Sequence, residues 1–206
     1  GRELLSSLAA GAGADRRDYL MVIDADETLE LPVGYERPML HAAAYELEMR
    51  FAEMSYARPS LVAAAAPWRY QGVLHEYLQC AGDPLIVKLP GPWITVRPEG
   101  ARSRNPRKFH DDAALLEHAL LSEPDNARYW FYLGQSYRDA GEPQLALQAL
   151  RRRVALPGWE EETWYALFQI ALLTERVAGD QDPDAVRAAY ELAYQRRPSR
   201  AETLVE

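Results

Sequence analysis

Three things are scarce in this chain. Cysteine is the first: Cys80 stands alone, so no internal disulfide can form, which fits a reducing, cytoplasmic setting. Long apolar runs are the second. None approaches the roughly 20 residues of a membrane span, and no signal-like segment precedes the first predicted strand. Positive charge is the third. With 23 Lys and Arg against 31 Asp and Glu the net charge is −8, which argues against a general nucleic-acid binder. The chain also lacks an initial Met, and its opening GRELLSSLAA already has helical spacing, so an N-terminal truncation is expected.

What is present is enough for a real core: 206 residues, 48% of them hydrophobic, which suits one large domain or two small ones. Two grammars divide them at about Pro106. The first part reads as mixed α/β. Leu4, Leu5 and Leu8 share a helical face, and GAGADRRD reads as a turn and charged linker. Residues Tyr19 to Ile23 are apolar throughout, as expected of a strand covered on both faces. Further strands are predicted in AAAYELEMRF, where Tyr45, Leu47 and Met49 alternate, in SLVAAAA and in WITVRP. The Pro- and Gly-dense stretch from Gly82 to Gly100 predicts loop with short strands.

From Pro106 onward apolar residues recur at three and four, and nothing reads as strand. Trp130, Leu133, Gly134, Tyr137 and Ala146 follow the tetratricopeptide offsets, and Trp164 with Leu167 repeats Trp130 with Leu133 after 34 residues. Tyr190, Ala193 and Pro198 continue the second unit six residues late, so VAGDQD reads as an insertion in its inter-helix turn. Phe168 stands where the pattern has a small Gly. Ala119 and Pro124 close an earlier half-repeat. Small residues let paired helices approach and aromatics fill between neighbours, so a short array of helical hairpins is predicted, with Trp130 between repeat helices.

Three constellations carry candidate chemistry. The first is IDADE. Residues two apart on an extended chain point the same way, so Asp24 and Asp26 can aim two carboxylates at one point past a strand end. A divalent cation would remove their repulsion, and strand ends in α/β sheets are where ligands bind. The same residues also read as a polar turn with an Asp cap. The second is PWRYQGVLHEYL, where Trp68, Arg69, Tyr70, His75 and Glu76 surround Gly72. A neutral His ligates metal and a Glu can serve as general base; a surface His–Glu pair is the plainer reading. The third is EGARSRNPRKFHDD, where Arg102, Arg104, Arg107 and Lys108 form a basic patch in an acidic protein. It suits a loop that clamps a diphosphate, or a solvated linker leading to a helix capped by Asp111. His41, His110 and His118 have no evident partner, and Cys80 reads as buried rather than catalytic.

DYLMVIDADETLELP followed by WRYQGVLHEYL and then the repeats resembles bacterial family 2 glycosyltransferases with C-terminal tetratricopeptide repeats. The resemblance spans nearly the whole chain. It implies a partial GT-A (Rossmann-like) α/β domain in residues 1–105, followed by an all-α tetratricopeptide-repeat array in residues 106–206. The β-α-β nucleotide-binding half with which such enzymes begin would be missing, leaving an unpaired sheet edge. It further implies a nucleoside-diphosphate sugar as donor and Mn²⁺ or Mg²⁺ as cofactor. Asp24 and Asp26 match the metal and diphosphate motif, with Asp26 in direct contact with the metal. His75 is implied as a further metal ligand, Glu76 as acceptor-binding residue or base, and Arg102 and Lys108 as a loop over the diphosphate. A protein, peptide or glycan acceptor would be held by the repeats, and the sugar would be transferred with inversion. The competing expectation is a non-catalytic interaction scaffold carrying a glycosyltransferase remnant. A metal-dependent hydrolase using the same carboxylates is a weaker third.

Overall fold

The computed structural model describes residues 18–97, 105–178 and 181–204. The predicted helix at residues 2–10 lies outside them. The chain divides into two compact units, Gly1–Asn105 and Pro106–Glu206.

The described residues of the first unit form seven strands: β1 (Tyr19–Met21), β2 (Glu27–Glu30), β3 (Ala44–Phe51), β4 (Met54–Ala63), β5 (Trp68–Gln71), β6 (Tyr77–Cys80) and β7 (Ile86–Val96). Five make one sheet in the order β1-β4-β3-β7-β2, and β5 and β6 pair as a separate hairpin. The sheet is mixed, with β3 and β7 parallel and the other three pairings antiparallel. The described residues of this unit form no helix.

Alternation in β3 puts Tyr45, Leu47 and Met49 on one face, where they form a core with Ala42, Leu89 and Ile94. Ala44, on the other face, packs with Val62 and Trp68. Burying such apolar side chains contributes about 1.5–3 kcal/mol each.

Two expectations need correction. The Tyr19–Ile23 run is not a doubly covered strand. β1 is three residues long and lies at a sheet edge, with Met21 38% and Ile23 40% exposed. The polar turn read in IDADE is present at Ala25 and Asp26, and strand β2 begins at Glu27. The segment from Gly82 to Gly100 is dominated by one 11-residue strand, β7, which bends where its register with β3 shifts between Glu46 and Glu48.

β1 and β2 are consecutive in the chain yet occupy opposite edges of the sheet. On a flat sheet, four gaps of about 4.8 Å would part them by about 19 Å. The link between them turns at Asp24, whose carbonyl accepts from the Glu27 N–H at 3.1 Å. Three extended steps and a turn span only about 17 Å. The sheet therefore curls, and the carboxylate segment bridges its two edges.

The second unit is helical: α1 (Lys108–Ser122), α2 (Ala127–Asp139), α3 (Pro143–Val154), α4 (Glu160–Ala178) and α5 (Pro183–Arg196), then a 3₁₀ turn at Ala201–Leu204. The main contacts run from each helix to the next, as in a stacked array. Asn126 and Asp182 cap α2 and α5, their side chains accepting from the N–H groups of Tyr129 and Ala185. Gly134 lets α2 and α3 approach: a Cβ there would lie 2.6 Å from Leu150 Cγ. Phe131, Ala146, Leu147, Leu150, Ala166 and Leu173 form the core.

Here too details differ from expectation. α1 begins at Lys108, so Asp111 is not its cap but lies in its first turn, paired with Arg107 at 3.9 Å. Of the stretch Val177–Asp182 read as a turn insertion, Val177 and Ala178 belong to α4, which has 19 residues where α2 has 13. Trp130 is only half-buried and donates to the Pro124 carbonyl at 2.8 Å, whereas Trp164 is 4% exposed and stacks on Phe168. Among the described residues no helix is long and apolar enough to cross a membrane.

Candidate functional site

The carboxylate segment is tied at both ends. Val22 donates to the Ser60 carbonyl of β4 at 2.7 Å, and the Asp26 carbonyl accepts from the Arg97 N–H at 3.0 Å. Between these ties the Asp24 side chain projects to solvent, 69% exposed. Asp26 is half-buried.

The third carboxylate behaves differently. The Glu27 side chain is 3% exposed. One of its oxygens accepts from the Asp24 N–H at 2.9 Å and from Arg58 Nη2 at 2.7 Å. Arg58 comes from β4, and its Nη1 stands 3.5 Å from Asp24 Oδ2. Burial works against the Arg58 charge, but the Glu27 hydrogen bond and the Glu27 and Asp24 charges more than offset it, and its pKa rises. One guanidinium thus offsets part of the charge of the crowded acidic residues.

The hairpin brings the second sequence motif to the same place. Trp68 anchors β5 in a cluster with Ala44 and Val62, against which Leu20, Val22 and Leu78 also pack. Two residues on, the Tyr70 phenol is pushed up by burial first and then by Asp24. Arg58 pulls it back, and Glu76 and Glu27 add to the rise. Tyr70 therefore sits within electrostatic reach of all four charges. His75 and Glu76 lie in the turn between β5 and β6, and both are exposed. His75 has φ +51°, a left-handed conformation uncommon for a residue with a side chain.

Among the described residues no group of three or more His, Cys, Asp and Glu side chains is gathered as a metal shell. The donor chemistry of Asp24 and Asp26 does suit Mn²⁺ or Mg²⁺ held in another way. Mg²⁺ usually binds through one or two carboxylates and completes its octahedron with substrate phosphates and water. Lys108 opens α1 in the helical unit, its Nζ 5.2 Å from the Phe109 ring. Arg102 lies outside the described residues.

Arg58 and Glu27 were not singled out by sequence reasoning. A signal existed for Arg58: it is a lone cation in the strand-forming run YARPSLVAA. Glu27 carried none, because its burial depends on Arg58, which lies 31 residues on.

No protein-family model matches the chain, and no curated protein matches it. Among solved structures, that of MamA is similar over 52% of this chain and 79% of its own, at 17% identity and a TM-score of 0.26. A superposition that loose carries no argument.

Proposed function

We propose that this chain is part of a metal-dependent glycosyltransferase that takes a sugar from a nucleoside-diphosphate donor, followed by a tetratricopeptide-like module. One observation carries the reading: Trp68 and Leu78 of the WRYQGVLHEYL hairpin share a cluster with Leu20 and Val22, which lead into IDADE, and Tyr70 lies within electrostatic reach of Asp24 and Glu27. Asp24 and Asp26 would hold Mn²⁺ or Mg²⁺, which when bound offsets charge on the departing diphosphate. Glu76, exposed in the hairpin turn, would take the proton from the acceptor hydroxyl, and His75 beside it would lend a nitrogen to the metal or the diphosphate.

The helical unit would hold the acceptor or a partner protein. The repeat character of the unit is supported by side-chain links between adjacent repeats. Arg128 of α2 donates to Glu162 of α4 at 2.7 Å, a separation of 34 residues that equals the repeat period. A second reading, a scaffold with a remnant transferase, is favoured by the pairing inside the acidic site, where Arg58 already offsets the charge of Glu27 and stands 3.5 Å from Asp24.

Calorimetry separates the two. A nucleoside diphosphate titrated with Mn²⁺ present should bind this chain, and binding should disappear without Mn²⁺ and in Asp26→Ala. Equal binding by both proteins would remove the metal assignment, and a flat titration of the unaltered chain would favour the scaffold.

A further inference from the structure

The chain leaves α5 through Arg196-Arg197-Pro198-Ser199-Arg200. All three arginines reach back to the start of α4. Arg196 donates to Glu160 from Nε at 3.0 Å and from Nη2 at 2.7 Å. Arg197 donates to Glu161, and so does Arg200 Nη2 at 3.1 Å. Arg200 also pairs with Glu202 at 3.3 Å and lies 4.8 Å over the Trp164 ring. Three cations thus meet three carboxylates in an ionic latch that ties the segment after α5 to α4.

Ser199 sits between two of these arginines and takes no part in the latch. It is exposed, and its hydroxyl makes no hydrogen bond among the described residues. The backbone before it is extended, with φ −145° and ψ 84° at Arg197. The Arg196 and Arg197 side chains are 45% and 34% exposed. Two guanidinium groups two and three residues ahead of an exposed serine suit a kinase that reads arginine through its own carboxylates.

We propose that Ser199 is a phosphorylation site for an arginine-directed serine kinase, and that the phosphate opens the latch. In the step itself the Ser199 Oγ attacks the γ-phosphorus of ATP. A new P–O bond forms, the bond to the β–γ bridging oxygen breaks, ADP leaves with that electron pair, and the hydroxyl proton passes to the base of the kinase. Phosphoserine carries about −1.5 to −2 charges at neutral pH. The latch is balanced before it arrives and has an excess of negative charge afterwards. The phosphate draws Arg197 and Arg200, its neighbours, away from Glu161. Glu160 and Glu161 then face a dianion. The phosphate also lies just past the C-terminus of α5, where the helix dipole disfavours negative charge. Exposed ion pairs are individually weak, so one dianion suffices to shift them. The site belongs to the helical unit and does not depend on the glycosyltransferase reading.

The test uses the whole chain, a purified arginine-directed serine kinase, and ATP with Mg²⁺. Mass spectrometry should find one phosphoryl group on the peptide that holds Ser199, and Ser199→Ala should lose it. Backbone hydrogen exchange of residues 196–204 should then quicken about threefold or more, while far-ultraviolet dichroism keeps the helical signal. A double variant, Glu160→Gln with Glu161→Gln, should quicken the same segment without kinase, because it removes the charges that the arginines hold. Absence of phosphate on Ser199, or the same phosphopeptide from Ser199→Ala, overturns the site. Unchanged exchange in the phosphorylated chain or in the double variant overturns the latch, and so does loss of the whole helical signal on phosphorylation.

Discussion

Each unit of this protein buries a glutamate against an arginine, and the two pairs are used differently. In the helical unit Arg153 is 0% exposed. Its Nη1 and Nη2 donate to the carbonyls of Leu156 and Trp159, and its Nε stands 3.5 Å from Glu162. Those carbonyls lie in the link between α3 and α4, so Arg153 pins one hairpin to the next. In the sheet unit Arg58 is 31% exposed and spends one arm on buried Glu27 and the other on solvent-facing Asp24. The chemistry of the pair is the same. What differs is whether the remaining donors end in main chain or face water, and that separates a structural clasp from a group able to meet a ligand.

The comparison breaks most easily at Arg153. Arg153→Ala should cost about 3–5 kcal/mol, because it removes a fully buried charge and takes the Arg153 donor from the Leu156 carbonyl. The loss would appear as a lowered denaturation midpoint of the helical signal in circular dichroism. Glu27→Gln should cost less, about 2 kcal/mol, because Arg58 can turn toward water when its charged partner goes. The midpoint for the sheet unit, followed by near-ultraviolet dichroism, would show it. If Glu27→Gln costs as much as Arg153→Ala, the distinction drawn between the two arginines is wrong.

The smallest effect concerns a partly exposed pair in the helical unit. Tyr137 donates to Glu117, and its pKa is pushed up to about 12, first by burial and then by that carboxylate. The folded chain thus favours the neutral phenol. Its contribution is fully present below pH 10.0 and is lost as pH rises toward about 12. Tyr137→Phe should flatten this alkaline decline in the denaturation midpoint. An unchanged slope would show that solvent screens the pair completely.

Legibility from sequence followed the range of the interactions. The helical unit was largely readable, since a period of 34 residues and a 3.6-residue apolar rhythm are local patterns, and Arg128 meets Glu162 at that same separation. The miss at α4, where extra residues lengthened the helix, arose because an insertion can prolong a helix as easily as a turn. β3 was readable from its alternation. β1 was misread because an apolar run does not reveal whether it lies inside a sheet or at its edge.

The amino-acid sequence by itself determined where the acids are, that apolar residues lead up to them, and that a helical array follows. Those are properties of neighbours along the chain. Only the tertiary structure decided which acid is buried and which faces solvent. Asp24 and Glu27 are three residues apart and chemically alike, yet one side chain is 69% exposed and the other 3%. The reason is the curl of the sheet. It brings β4 against the turn between β1 and β2, so Arg58 reaches Glu27 at 2.7 Å and holds it out of the water that still surrounds Asp24.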